Sequence, residues 1–325
     1  MSISSGPESV EPKIPVSSDV SEAWQAVLAM PIQFDRSDTP NTPEEWAAAR
    51  KIAEELYGPM LQAASAETGA SVKAIEIAGV NAYEVLPATP ATAVPEQVVI
   101  FVHGGAYTIL GGELSVCESP LIAQKGNYRV IAVDYRMPPE HPFPAAIDDV
   151  VAVYEALLKD YEASGIALMG SSAGAGLAAA SVLASRDAGL PLPGAVVMHT
   201  PWTDISKTGD SYYINDCIDP TLPTYEGRLE ASAKVYANGR DLKDPLLSPV
   251  YADFSKGFSP TFIQSGTRDL LLSCAVRTHR ALCRANVPAD LHVYEGMGHG
   301  IPPVFPDYQE LLADTDAFLK KHLKS

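Results

Sequence analysis

The feature that most constrains this fold is a series of short apolar runs alternating with helical patterns. Residues 97–102, 130–133, 165–169, 194–198, 261–264 and 289–294 read as strands. Between them, residues 145–158, 173–184 and 274–284 read as helices, the first with Ala146, Val150, Val153 and Leu157 on one face. A strand that is apolar throughout must be covered on both faces. Strand–helix alternation does this with parallel strands and crossover helices, so the expected fold is α/β with a mostly parallel sheet. Ligands in such sheets bind beyond the carboxyl ends of the strands. Chemistry is therefore expected just after strands.

The flanks differ from this pattern. Residues 1–16 are rich in Ser, Pro and Glu and read as disordered, and a helix is expected from about Asp19 with Trp24, Val27 and Leu28 on one face. Thr42-Pro43-Glu44-Glu45 carries an N-cap, a proline at the first helical position and a capping box. That helix runs toward Gly58-Pro59, with further helix up to Gly69, so the first seventy residues read as largely helical. Residues 72–77 and 80–85 read as a hairpin turning at Ala78-Gly79, followed by a Pro/Ala/Thr loop over 87–95. Residues 205–240 interrupt the alternation with a polar, aromatic stretch ending in a helix over 226–237. A terminal helix spans 307–322, with Asp307 and Glu310 at capping-box spacing. The expected organisation is a tail and helices over 1–70, a core domain over 71–204 and 241–325, and an insertion over 205–240.

Charge and cysteine content narrow the function classes. Forty acidic against 23 basic side chains give a net charge of −17, which disfavours nucleic acid and anionic membrane surfaces as partners. Cys117, Cys217, Cys274 and Cys283 are scattered, with no metal-ligand spacing, and read as free thiols. The N-terminus lacks the basic and apolar regions of a secretory signal, and no apolar run is long enough to cross a bilayer. The expectation is a cytoplasmic protein. A homodimer is left open.

Two glycine-rich turns follow strands. Gly170-Ser171-Ser172-Ala173-Gly174 is a G-x-S-x-G sequence between a strand and a helix, the context that makes this common combination a nucleophile elbow. The glycines allow close backbone approach, and the helix N-terminus favours developing negative charge. His103-Gly104-Gly105-Ala106-Tyr107 follows another strand and can turn its amides toward a ligand without side-chain obstruction. Of seven histidines, His299 in Gly296-Met297-Gly298-His299-Gly300 lies in a flexible turn beyond the last strand and suits a general base. Asp269 follows the strand over 261–264 and suits the orienting acid, whereas its rivals Asp244 and Asp253 follow no strand pattern. The order Ser172, Asp269, His299 is that expected for an elbow-type hydrolase.

Together these residues resemble the hormone-sensitive-lipase-like family of α/β-hydrolases, in its bacterial esterase branch, over the chain from about residue 70 to the end. The segment Asp134-Tyr135-Arg136-Met137-Pro138-Pro139-Glu140-His141-Pro142-Phe143-Pro144-Ala145 is similar to a family motif. Pro201-Trp202-Thr203-Asp204 and Asp244-Pro245-Leu246 are similar to family landmarks. The resemblance implies an eight-stranded sheet with helices on both faces and a helical cap built from the N-terminal helices and the insertion. It implies oxyanion donors at the amides of Gly105, Ala106 and Ala173, with Gly104 in the same loop. Two positions depart from the pattern: Ser171 stands where the family has Asp, and Ala106 where it has a third Gly. Ala106 keeps its N–H, while Ser171 changes a local polar contact. Among relatives, the Pro201-Trp202-Thr203-Asp204 and Thr208-Gly209-Asp210-Ser211 stretches resemble those of lactone hydrolases and short-chain carboxylesterases.

The implied reaction is hydrolysis of a small-molecule carboxylic ester or lactone through an acyl-serine intermediate, which needs no metal or organic cofactor. An amidase or acyltransferase could use the same triad. A small-molecule receptor of the same fold, as in related plant hormone receptors, would not need the intact Ser, Asp and His. Ser172→Ala is expected to leave circular dichroism unchanged while lowering kcat on the order of 10⁶-fold, as loss of a triad nucleophile does. Ser171→Ala should be far milder; near-wild-type turnover by Ser172→Ala would contradict the elbow reading.

Overall fold

The apolar runs become strands because their alternate side chains are buried on opposite sides of one sheet. The structure, a computed structural model, describes residues 6–88 and 96–324. Two short strands, β1 (Glu8–Val10) and β2 (Ile32–Phe34), pair with each other away from the main sheet. The main sheet holds β3 (Ser71–Ile77), β4 (Val80–Leu86), β5 (Val98–Val102), β6 (Arg129–Val133), β7 (Ile166–Ser171), β8 (Ala195–His199), β9 (Thr261–Gly266) and β10 (Ala289–Tyr294). Its order is β10-β9-β8-β7-β5-β6-β4-β3. All neighbours from β10 to β6 are parallel; β4 is antiparallel to both β6 and β3. The expected α/β fold with a mostly parallel eight-stranded sheet is therefore the observed one. The hairpin turns at Ala78 and Gly79, both with positive φ, as a tight two-residue loop requires.

Helices cover both faces. The helices are α1 (Glu22–Leu28), α2 (Pro43–Thr68), α3 (Ser119–Gly126), α4 (Ala145–Leu157), α5 (Ala173–Asp187), α6 (Ser211–Ile214), α7 (Arg228–Ala237), α8 (Leu272–Arg284) and α9 (Tyr308–His322). Ile100, Ile131, Leu168 and Val196 join side chains of α4, α5, α7 and α8 in one core. Their strand neighbours Val99, Val130, Ala167 and Val197 join α1, α3 and α9 in the other. The period of two along each strand thus divides one sheet between two apolar layers. Small residues let α5 lie against the strands: Ala173 through Leu183 are all buried. No helix among the described residues is long and apolar enough to cross a membrane.

Several local expectations are corrected. Within the tail expected to be disordered, residues 8–10 form β1, with Val10 opposite Ile32, and the Pro15 carbonyl accepts a 2.7 Å bond from Arg268. Helix α1 starts at Glu22, capped by Ser21. Helix α2 has the full capping box at Thr42 and Glu45 and continues through Pro59 to Gly69 in the left-handed conformation. Pro59 removes one hydrogen bond, but the capped start and the buried Trp46, Ala49 and Ala53 anchor the helix before it. Asp307 does not cap α9; its carboxylate instead accepts from Ser21 N and Oγ at 2.8 and 2.5 Å, joining the two ends of the chain. Residues 1–5 of the tail and 89–95 of the Pro/Ala/Thr loop lie outside the described residues.

Close approach of α5 to the sheet demands glycine at its start. A Cβ on Gly174 would stand 2.1 Å from the Val102 carbonyl oxygen and 2.3 Å from that of His103. Gly174→Ala is therefore expected to destabilise the protein by about 1–3 kcal/mol through overpacking, outweighing the roughly 1 kcal/mol by which alanine is the better helix former. Urea unfolding reads this out, and a midpoint at or above that of the parent chain would contradict rigid contact at the elbow.

Candidate active site

The nucleophile candidate sits on a one-residue turn between strand and helix. β7 ends at Ser171 and α5 begins at Ala173, leaving Ser172 alone to reverse the chain, with φ 58° and ψ −121°. A non-glycine residue there carries strain of about 1–3 kcal/mol, tolerated only where surrounding structure holds it. The Ser172 amide donates to the His199 carbonyl at 2.8 Å, and Trp202 N donates to the Ser172 carbonyl at 2.9 Å. The end of β8 and the residues just after it thus pin the turn on both its N–H and its C=O side.

The structure brings Ser172, His299 and Asp269 together from the ends of β7, β10 and β9. Ser172 Oγ lies 2.8 Å from His299 Nε2, and His299 Nδ1 lies 3.0 Å from Asp269 Oδ1. Asp269 is fully buried; Ser265 Oγ donates to its Oδ2 at 2.6 Å and Leu271 N to its Oδ1 at 2.8 Å. With Nδ1–H directed at Asp269, Nε2 presents its lone pair to the Ser172 hydroxyl. Burial alone would lower the His299 pKa. The charge of Asp269, its hydrogen bond and the charge of Asp219 override this and raise it. The rivals lie elsewhere: Asp244 caps the turn at Leu246, and Asp253 the turn at Ser255.

The glycine-rich loop closes over the elbow. A Cβ on Gly104 would lie 3.0 Å from the Ser171 carbonyl oxygen and 3.2 Å from Ser172 Cβ. Gly105, Ala106 and Tyr107 all have positive φ, at 89°, 52° and 66°. The amides of Gly105, Ala106 and Ala173 donate to no acceptor among the described residues, so they are free to meet an anionic oxygen. Burial holds His103 neutral, with a pKa lowered to about 4, and its Nδ1–H donates to the Gly104 carbonyl at 2.9 Å. Tyr135, from the segment after β6, donates to the carbonyls of His103 and Gly104 at 3.0 and 3.3 Å.

Contacts from outside the sheet hold the same loop. Arg50 of α2 donates to the Thr108 and Pro138 carbonyls at 3.3 and 2.9 Å and pairs with Glu140 at 2.7 Å. On α7, Tyr236 stacks on Tyr107 with ring centroids 3.8 Å apart, and Ser232 Oγ lies 3.1 Å from Thr108 Oγ1. The N-terminal segment and the insertion also wall a cavity of about 390 Å³ above Ser172. Phe34 and Tyr57 come from the first, Leu222 and Leu229 from the second, and Ile109 and Ile301 add to the apolar lining.

Two carboxylates, a partly buried Glu118 and a fully buried Asp219, were not singled out by the sequence. Glu118, at the start of α3, accepts from Ser171 Oγ at 2.6 Å and Tyr308 Oη at 2.7 Å, and lies 3.3 Å from His199 Nδ1. Burial would raise its pKa, but the contacts to His199, Ser171 and Tyr308 outweigh that and lower it. An aspartate at 171 would confront this carboxylate directly, so the hydroxyl is the compatible partner. Asp219, in the insertion, lies against the backbone of His299. No motif marks either residue; the one hint is Gly298, where a Cβ would stand 2.6 Å from Asp219 Oδ1.

Comparisons with known proteins agree with this architecture. Residues 99–302 match a family model described as the α/β-hydrolase fold. The chain is 35% identical to an acetyl-hydrolase of Streptomyces hygroscopicus, over 69% of this chain and 75% of that one. Among solved structures it is similar to esterase E25, with a TM-score of 0.89 and 44% identity over 97% of this chain and 98% of that one. It is also similar to an esterase from the bacterial hormone-sensitive lipase family, with a TM-score of 0.80 and 31% identity over 96% and 100% of the two chains.

The raised pKa of His299 sets the sign of the pH dependence. A general base must be neutral, so kcat/KM is expected to fall as pH drops, with a midpoint above the ordinary histidine value of 6.5. His299→Ala should abolish that limb with most of the activity. A pH–rate profile whose acid limb survives in His299→Ala, or equal losses from His199→Ala, would move the assignment.

Proposed function

We infer that this chain, which belongs to the hormone-sensitive-lipase-like esterases of the α/β-hydrolase fold and hydrolyses carboxylic esters, does so through Ser172, His299 and Asp269. The observation that carries this reading is the unbroken chain of contacts from Ser172 Oγ through His299 to Asp269 beside three unengaged amides. In the reaction, Ser172 Oγ attacks the ester carbonyl carbon while His299 Nε2 takes the hydroxyl proton. Asp269 orients the ring and stabilises its cationic form. The carbonyl oxygen, now anionic, is met by the amides of Gly105, Ala106 and Ala173. The bond to the alcohol oxygen then breaks as His299 returns its proton to that oxygen. Water, deprotonated by His299, attacks the acyl-serine, and release of the acid restores the Ser172 hydroxyl.

The substrate class we propose is short-chain acyl esters or lactones. The support is the cavity of about 390 Å³, roofed by the N-terminal segment and the insertion over 205–240 acting as a cap. A cavity near the lower end of the range of about 300–1,000 Å³ typical of ligand pockets encloses a small substrate and leaves a long acyl chain protruding. The free thiols of Cys117, Cys217, Cys274 and Cys283 support action in the cytoplasm.

Across a series of p-nitrophenyl esters, kcat/KM is expected to peak at short acyl chains and to be poor on long-chain triglyceride emulsions. Removal of residues 1–40 should damage activity more than global folding measured by circular dichroism, because Phe34 leaves the cavity wall. Long-chain emulsions as the better substrates, or full activity after truncation, would overturn the roofed-pocket reading.

A further inference from the structure

Asp219 is fully buried, yet among the described residues its carboxylate has no side-chain partner of opposite charge in hydrogen-bond contact. Among those residues it accepts from backbone N–H groups alone. Oδ1 takes those of Thr221 and Leu222 at 2.9 and 3.1 Å and fixes its own turn in the insertion. Oδ2 takes that of Leu270 at 2.9 Å, the residue after Asp269. Both oxygens reach the amide of His299, at 3.1 and 2.9 Å. One carboxylate therefore joins three chain segments: the insertion, the loop bearing the acid and the loop bearing the base. Asn215, four residues earlier in the insertion, adds a bond from Nδ2 to the Asp269 carbonyl at 2.8 Å.

Burying a charge costs free energy, which here the backbone N–H groups must offset in place of a cationic partner. Glycine at 298 leaves room for it, since any side chain there would run into Asp219 and Pro220. The charged groups facing it are Asp269 and His299. Arg268 instead directs its guanidinium to the Pro15 carbonyl, and Asp216 is taken by Arg36 at 2.7 Å. The carboxylate thus bears on the proposed base in two ways: it fixes the backbone from which the imidazole projects, and it adds a second negative charge beside Asp269.

We propose that Asp219 is a positioning residue of the esterase reaction, through which the insertion sets both the orientation and the basicity of His299. The proposal rests on the assignment of Ser172 and His299 above. A displacement of about 1 Å in a reacting group can cost on the order of 10²-fold in rate. An opposite charge within about 4–6 Å raises the pKa of a cation by about 1–3 units. Loss of Asp219 removes both contributions.

The experiment compares the full-length chain with Asp219→Asn and Asp219→Ser, using p-nitrophenyl acetate, pH–rate profiles, and thermal unfolding at each pH. Ser172→Ala is the control for the underlying reading: if it retains turnover, the triad assignment fails whatever Asp219 does. With that control inactive, the folded Asp219 variants are expected to lose about 10- to 100-fold in kcat with KM nearly unchanged. The acid limb of kcat/KM should move to lower pH by about one unit, because the anion that favours protonated His299 is gone. A folded variant with the parent kcat and acid limb overturns the proposal. So does a folded variant that loses kcat without any shift of the limb. Failure of both variants to fold also overturns it, assigning Asp219 to stability alone.

Discussion

The left-handed backbone of Ser172 is the constraint on which the rest of the site depends. It exists only because β7, β8 and α5 meet at one point, where the His199 carbonyl and the Trp202 amide grip the turn. That grip requires close approach. Gly170 permits it on one side, where a Cβ would stand 2.4 Å from Gly174, and Gly174 permits it on the other. The strain is offset by the packed core beneath, and main-chain hydrogen bonds hold the backbone of the proposed nucleophile. The same closeness explains why Gly104 lies against Ser171 and Ser172.

A second strained element, the loop of Gly105, Ala106 and Tyr107, is held differently. Its clamps come from outside the sheet: Arg50 on α2, Ser232 and Tyr236 on α7, and Tyr135 after β6. Ala106 and Tyr107 have no intrinsic preference for positive φ, so tertiary contacts must supply it. The segments that wall the cavity are therefore the segments that hold the proposed oxyanion amides. The cavity wall and the proposed oxyanion loop share one set of contacts, which meet at Thr108 and Tyr107.

The core of the fold and the three proposed catalytic residues were legible because each leaves a local signature. Apolar runs state that a strand is covered on both faces, and glycines at 170, 174, 296, 298 and 300 mark turns at strand ends. The short α3, the pairing of β1 with β2 and the passage of α2 through Pro59 left no such signature. Their stability comes from tertiary contact, which overrides local preference. The apparent capping box at Asp307 misled for the same reason: Ser21, 286 residues away, takes the carboxylate that local spacing had assigned to the helix.

By itself the sequence determined the parallel sheet, the elbow at Ser172, the glycine loop after β5 and the loops bearing Asp269 and His299. Each is set by the spacing of residues within about ten positions, where periodicity and backbone freedom act directly. Only the tertiary structure decided which polar groups surround them. Glu118 meets His199 across 81 positions, Asp219 meets His299 across 80 and Arg50 meets Thr108 across 58. A carboxylate or guanidinium in a loop carries no mark of its eventual partner. Its role appears when crossover connections bring distant segments to one end of the sheet, and burial then makes each hydrogen bond there obligatory.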